Sequence, residues 1–349
     1  MRSDHGGAFG ARIDASVNCN PLGPPRSLDP VFARVRDLAA RYPDLDARRA
    51  RHAWATALGV PLERLLVGNG ASELIAVVTR ALSPARVVLF EPCYSEYAAA
   101  ADAAGAPVAA LRLERTADAW LTPLAALAPR PGDLVVLGHP NNPTAHLLDP
   151  TALRAVAAAH PESWFLVDES FLPFHPAHDD LTLLRDRPAN LAVVRSLTKI
   201  FCVPGLRLGL LVADEALVAA SQRLRDPWAV NAIAADAAVV LASEETAAAL
   251  PGSYLDRTRS WLAAETPRAL ESLRAAGLAA WRADAPYVLA ELPEPLRVAD
   301  LAASLSPLGI AVRDASTFVG LTPRTLRVGL RFDDETDEIV AAIADFLAT

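Results

Sequence analysis

The segment SLTKIFCVPGLRLG places Lys199 just beyond a strand-like run, with Ser196 and Thr198 close before it and Arg207 eight positions after. A lysine that holds an aldehyde cofactor as a Schiff base needs an anion site nearby when that cofactor carries a phosphate. Two hydroxyls and an arginine able to bind bidentately supply one. An isolated lysine in such a loop is ordinarily just exposed, so the other matches must carry weight. Asp168, in FLVDES, ends a very apolar run. A buried acid there is costly without a partner. A pyridinium nitrogen is a suitable partner, because the pairing keeps the ring protonated as an electron sink. Taken alone, the same aspartate reads as a helix N-cap.

Three more segments would complete such a site. In HPNNPT, residues 139–144, Asn142 can hydrogen-bond a phenolic oxygen of the cofactor, although NNP alone is a turn signal. In GNGASE, residues 68–73, the amides of Gly70, Ala71 and Ser72 at a helix start form a phosphate cradle. A structural turn would look the same. In EPCYSEY, Tyr94 can stack on a pyridine ring, and a buried aromatic is the ordinary alternative.

These groups need elements to position them. Apolar runs at 87–90, 134–137, 164–168, 191–194 and 208–212 read as buried strands, and 95–104 and 151–159 as helices. The fold class is therefore α/β, with a large mixed but mostly parallel sheet whose strand carboxyl ends gather ligands. After about residue 256 the pattern changes. A helix over 254–276 leads to strands at 278–282, 287–291, 310–313 and 325–330, with helices at 299–305 and 335–347, which reads as a smaller α+β domain. The expected organisation is an N-terminal arm over 1–40 packed with the small domain, a large domain over 41–255 and a small one over 256–349.

Composition excludes several classes. The chain has 349 residues, 52% hydrophobic and 21% charged, enough for a large core and unlike a disordered segment. A net charge of -8 with no basic run argues against nucleic acid. The start lacks the apolar core of a signal peptide, and the longest apolar stretch, 229–242, is short for a bilayer and contains Asp236. Three distant cysteines, Cys19, Cys93 and Cys202, give neither a disulfide framework nor a zinc site and suit a reducing cytoplasm. His175 and His178 beside Asp179 read as a solvated loop, with a metal site the lesser alternative.

The motifs, in this order, resemble the fold-type I pyridoxal-phosphate (PLP) enzymes of the aspartate aminotransferase superfamily, over nearly the whole chain from His5. The resemblance implies that fold and that cofactor. It implies that Lys199 bonds PLP, Asp168 pairs with the ring nitrogen, Asn142 contacts the ring oxygen, Tyr94 stacks on the ring, and Ser196 and Arg207 hold the phosphate. Tyr42, in RYPD, would reach the cofactor phosphate of the partner subunit, so a homodimer with shared sites is implied. Two departures stand out. DESF puts Phe171 where the family's DEAY has Tyr, which removes one hydrogen bond to the ring oxygen. NPTA puts Ala145 where the family has Gly.

Within the superfamily, HGG at His5, NCNPLGPP at 18–25, PWAVNAIA at 227–234 and the Phe of DESF are similar to the threonine-phosphate decarboxylases of cobalamin biosynthesis, a branch close to the histidinol-phosphate aminotransferases. That likeness implies a lyase converting L-threonine O-3-phosphate to (R)-1-amino-2-propanol O-2-phosphate and carbon dioxide. The alternative is transamination of histidinol phosphate with 2-oxoglutarate. It also implies that Arg313 and Arg327 receive the substrate anions, with His5, Asn18 and Asn142 beside them. On sequence alone each arginine could instead be a surface ion pair. A ligand-sensing domain of a transcription regulator would follow a helix-turn-helix, and this sequence starts in the arm instead.

Overall fold

Runs such as LVVL and WFLV have no polar alternation, so a strand built from them must be covered on both faces. They form the middle of a seven-stranded sheet in the order Leu65–Gly68, Gly209–Val212, Leu191–Ser196, Trp164–Asp168, Asp133–Gly138, Arg86–Glu91, Val108–Arg112. The structure is a computed structural model and describes residues 6–8 and 10–349. Alternate residues point to opposite faces. Leu66, Leu89, Val136, Leu166 and Val194 pack on helices Ala71–Leu82 and Ser95–Ala103. Val67, Phe90, Val135, Phe165 and Val193 enter a larger core with Trp54 and Leu241.

All strand pairs in this sheet are parallel except those of Gly209–Val212, which runs antiparallel to both neighbours. Its beginning therefore sits at the edge where the other strands end. The chain can leave Ser196 at that edge, turn through Lys199, and return there at Arg207.

A second sheet has the order Ile13–Ala15, Ile310–Asp314, Thr325–Gly329, Tyr287–Glu291, Ala279–Ala280. The N-terminal strand pairs parallel with Ile310–Asp314, and the remaining pairs are antiparallel. The strand expected at 278–282 shrinks to two residues. The Trp281 N–H still donates to Leu289, but the Arg282 N–H turns away to the Asp118 carbonyl at 2.7 Å. Helix Tyr254–Ala275 is capped by Ser253, whose Oγ accepts from the Asp256 N–H. Among the described residues, no helix is long and apolar enough to cross a membrane.

Candidate active site

Strand Leu191–Ser196 ends at a hydroxyl that turns the chain. Ser196 Oγ accepts the Thr198 N–H at 3.3 Å and lies 2.6 Å from Thr198 Oγ1, capping the short helix Leu197–Ile200. Lys199 is thereby held at the carboxyl edge of the sheet, in a cavity of about 200 Å³. Burial lowers the Lys199 pKa, and the nearby Arg327 and Arg207 cations lower it further, against an opposing effect of Cys19. A lowered pKa favours the neutral amine, the form that bonds a carbonyl. Lys199 is the only lysine in the chain.

At one end of the cavity, backbone and guanidinium approach each other with no room to spare. Gly70 has φ +88°, and a Cβ there would lie 2.7 Å from Arg207 Nη2. A Cβ on Gly209 would lie 2.6 Å from the Ala71 nitrogen. Only glycines let Arg207 and the start of helix Ala71–Leu82 converge with Ser196 and Thr198. The result is a concave set of donors, suited to a phosphate. Ser72 Oγ lies 3.2 Å from the Tyr94 hydroxyl, which brings Tyr94 over the same floor.

Asp168 closes strand Trp164–Asp168 and lines the same cavity. It is 9% exposed. Its Oδ1 accepts from the Ser170 N–H at 3.0 Å and the Ser170 hydroxyl at 2.5 Å; its Oδ2 accepts from the Tyr97 hydroxyl at 2.9 Å. Burial raises its pKa, while these donors pull it down. The floor therefore presents an acid and an anion cradle together with Lys199 and Tyr94 in one cavity. That donor set fits a phosphate-bearing pyridine.

The roof comes from the second sheet and the arm. Arg313 and Arg327 are direct cross-strand partners, and both are buried. Like charges so placed repel and lose water, an arrangement suited to anions. Arg327 Nη1 donates to Asn142 Oδ1 at 2.6 Å and Nη2 to the Ser16 carbonyl at 2.9 Å, while its Nε has no partner among the described residues. Its guanidinium lies over the Tyr287 ring, 5.2 Å from the centroid. Burial lowers its pKa to about 10. Arg313 Nη2 donates to Thr317 Oγ1 at 3.0 Å. Asn18 is buried, and its Oδ1 has no partner among the described residues.

Of the residues expected from sequence, Ala71, Ser72, Tyr94, Asn142, Asp168, Ser196, Lys199, Arg207, Asn18, Arg313 and Arg327 line this one cavity. Gly70 borders it through Arg207. Tyr42 does not line it. That ring is 83% exposed and packs on Trp228 at 4.9 Å. His5 lies outside the described residues. His178 is not solvated as expected: it is buried, and its Nε2 lies 3.1 Å from Arg259 Nη2. Sequence reasoning passed over Ser170, Tyr97 and Thr317. Each had a signal, being two residues after Asp168, one helical turn after Tyr94, and four residues after Arg313.

The family described as aminotransferase class I and II matches over residues 28–343. A threonine-phosphate decarboxylase of Salmonella typhimurium is 33% identical over 342 residues, covering 96% of this chain and 91% of that one. A histidinol-phosphate aminotransferase of Symbiobacterium thermophilum is 31% identical over 339 residues, covering 95% and 89%. Among solved structures, a histidinol-phosphate aminotransferase from Clostridium acetobutylicum superposes with a TM-score of 0.85 at 24% identity, covering 96% and 99%.

Proposed function

The chain belongs to the aminotransferase class I and II family of PLP-dependent enzymes, and on that basis we propose that it decarboxylates L-threonine O-3-phosphate to (R)-1-amino-2-propanol O-2-phosphate and carbon dioxide. The observation that carries the reading is the buried cross-strand pair of Arg313 and Arg327 in the same cavity as Lys199 and Asp168. A doubly anionic amino acid offers two negative groups to that pair of cations. The arginines alone would also accept glutamate, the amino donor of a transaminase. The 33% relationship to a threonine-phosphate decarboxylase favours decarboxylation, as does Phe171 in place of the family's Tyr.

When bound, PLP supplies an electron sink that weakens the substrate Cα bond standing perpendicular to its ring. The protein's residues divide the remaining work. Arg207, Ser196, Thr198 and the amides of Ala71 and Ser72 hold the phosphate. Asp168 holds the ring nitrogen, Asn142 the ring oxygen, and Tyr94 covers a face. Lys199 carries the covalent attachment and moves protons at Cα. Arg313, Arg327, Asn18 and His5 grip the substrate anions, so contacts remote from Cα fix which of its bonds stands out of plane. Tyr42, exposed on this chain, completes the phosphate site of the partner subunit in a homodimer. Three free thiols support a cytoplasmic location.

The test is incubation with phosphothreonine, phosphoserine or histidinol phosphate, each with and without 2-oxoglutarate, followed by mass spectrometry. Aminopropanol phosphate formed without 2-oxoglutarate supports the proposal. Glutamate formed from 2-oxoglutarate, with histidinol phosphate as the amino donor, establishes transamination instead.

A further inference from the structure

The hydroxyl of Ser170 stands between two groups whose demands fix its proton. It accepts the Ser196 N–H at 2.9 Å, so its own hydrogen is directed to Asp168 Oδ1, 2.5 Å away. A backbone amide cannot exchange roles, hence the Ser170 hydroxyl is a donor to the acid. The side chain is 6% exposed and lines the cavity. It also ties two adjacent strand ends together, the one bearing Asp168 and the one leading into Lys199. The family sequence DEAY has alanine here, which offers neither bond. We infer that Ser170 is a positioning residue of this enzyme, whose hydroxyl keeps the Asp168 carboxylate charged and aimed at the cofactor's ring nitrogen.

The reason is electrostatic. A carboxylate out of water is unstable in its charged form, and each donor aimed at it offsets part of that cost. Asp168 has three such donors, two of them from Ser170. Among the described residues no cation is a leading influence on it, although Lys199 lines the same cavity. Tyr97 donates from helix Ser95–Ala103, Tyr94 and Tyr287 are neutral phenols, and Glu169 on the same strand end opposes the charge. Without the hydroxyl, Asp168 protonates at higher pH and the Ser196 N–H loses its acceptor. Phe171 next to it sets no bond of its own, since its ring packs edge-on against Tyr287 at 5.0 Å.

The inference rests on the reading that Asp168 faces the ring nitrogen, and one set of variants separates the two. The measurement is the pH titration of the visible absorbance of bound PLP, without substrate, in wild type, Ser170→Ala, Ser170→Thr and Asp168→Ala, together with the PLP dissociation constant of each. Because family members carry alanine here, Ser170→Ala is expected to fold, and the melting of its apoprotein checks this. The acid-side midpoint of Ser170→Ala should rise by about one pH unit, the scale of one hydrogen bond to a charged group. PLP should bind several-fold more weakly, and kcat should fall about tenfold with KM little changed. Ser170→Thr, which keeps the hydroxyl, should return the midpoint toward wild type. A wild-type titration in Ser170→Ala, beside a grossly altered one in Asp168→Ala, overturns the role of Ser170 and leaves that of Asp168. A wild-type titration in Asp168→Ala overturns the reading beneath, and the inference with it.

Discussion

The floor and the roof of the cavity meet their ligands in different states. On the floor, at the edge of the seven-stranded sheet, polar groups are already engaged. Asp168 is held by Ser170 and Tyr97, Ser196 by Thr198, and Ser72 by Tyr94. On the roof, two buried arginines stand side by side, and Asn18 Oδ1 and Arg327 Nε have no partner among the described residues. A preorganised floor suits a resident cofactor, whose site must not rearrange at each turnover. A roof with two adjacent cations is stabilised further when an anion arrives. Its interaction energy therefore appears with the substrate, where it can serve orientation.

Substitutions should separate the two. The largest loss belongs to Lys199→Ala on the floor: kcat should fall by on the order of a thousandfold or more. Because the chain has no other lysine, borohydride should fix PLP to wild type at that residue and fix none to the variant's side chains. Next is Asp168→Ala, expected to lower kcat about a hundredfold or more while thermal melting changes little. Steady-state kinetics beside calorimetry decides this, and an unchanged kcat would make the acid merely structural.

Arg327→Ala should act on both surfaces in different ways. On the roof it should lower kcat/KM for the phosphorylated substrate by two to three powers of ten, roughly the effect of unpairing a buried charge. On the floor the effect is a pH shift. Burial, then Arg327 and Arg207, keep the Lys199 pKa low. Removing a neighbouring cation raises that pKa, so less of the amine is neutral at a given pH. PLP capture by the Arg327→Ala apoenzyme should therefore need higher pH than capture by wild type, and stopped-flow absorbance against pH reads the shift. Coincident profiles would mean that roof and floor are uncoupled. The smallest effect should come from Ala145→Gly, at the departure from NPTG. Ala145 is buried with φ +58°, a left-handed conformation that costs alanine roughly 1–2 kcal/mol. Glycine removes that strain but adds freedom to the unfolded chain. Melting should stay within about 1 kcal/mol of wild type, with activity unchanged.

The same contrast governs what could be read from the sequence. Floor residues fall in short contiguous motifs at strand ends, and strands such as 134–137 and 191–194 announce themselves by unbroken apolar runs. Arg207 could be linked to Lys199 by spacing, yet what returns it to the same edge is the antiparallel course of Gly209–Val212, which apolar pattern does not encode. Ser170 and Tyr97 sit inside DESF and EPCYSEY without standing out, because a serine after an acid and a tyrosine in an alanine-rich helix have ordinary structural readings. The roof was legible only through resemblance. Asn18 and Arg327 lie far apart in sequence, and the three-residue strand Ile13–Ala15 that brings the arm to the second sheet is too short to show a period. The opposition of Arg313 and Arg327 is a matter of register, which no local pattern reveals.

The central claim is that the roof's grip on a remote phosphate directs the floor to break the Cα–carboxylate bond. The direct measurement is release of labelled carbon dioxide at saturation from carboxyl-labelled phosphothreonine and from carboxyl-labelled free threonine, using the wild-type holoenzyme. Rapid release is expected from the phosphorylated substrate, and release slower by at least about a hundredfold from free threonine, as a difference in kcat and not only in KM. Equal kcat for the two, or no release from either while a keto acid and aminated cofactor accumulate, would contradict it.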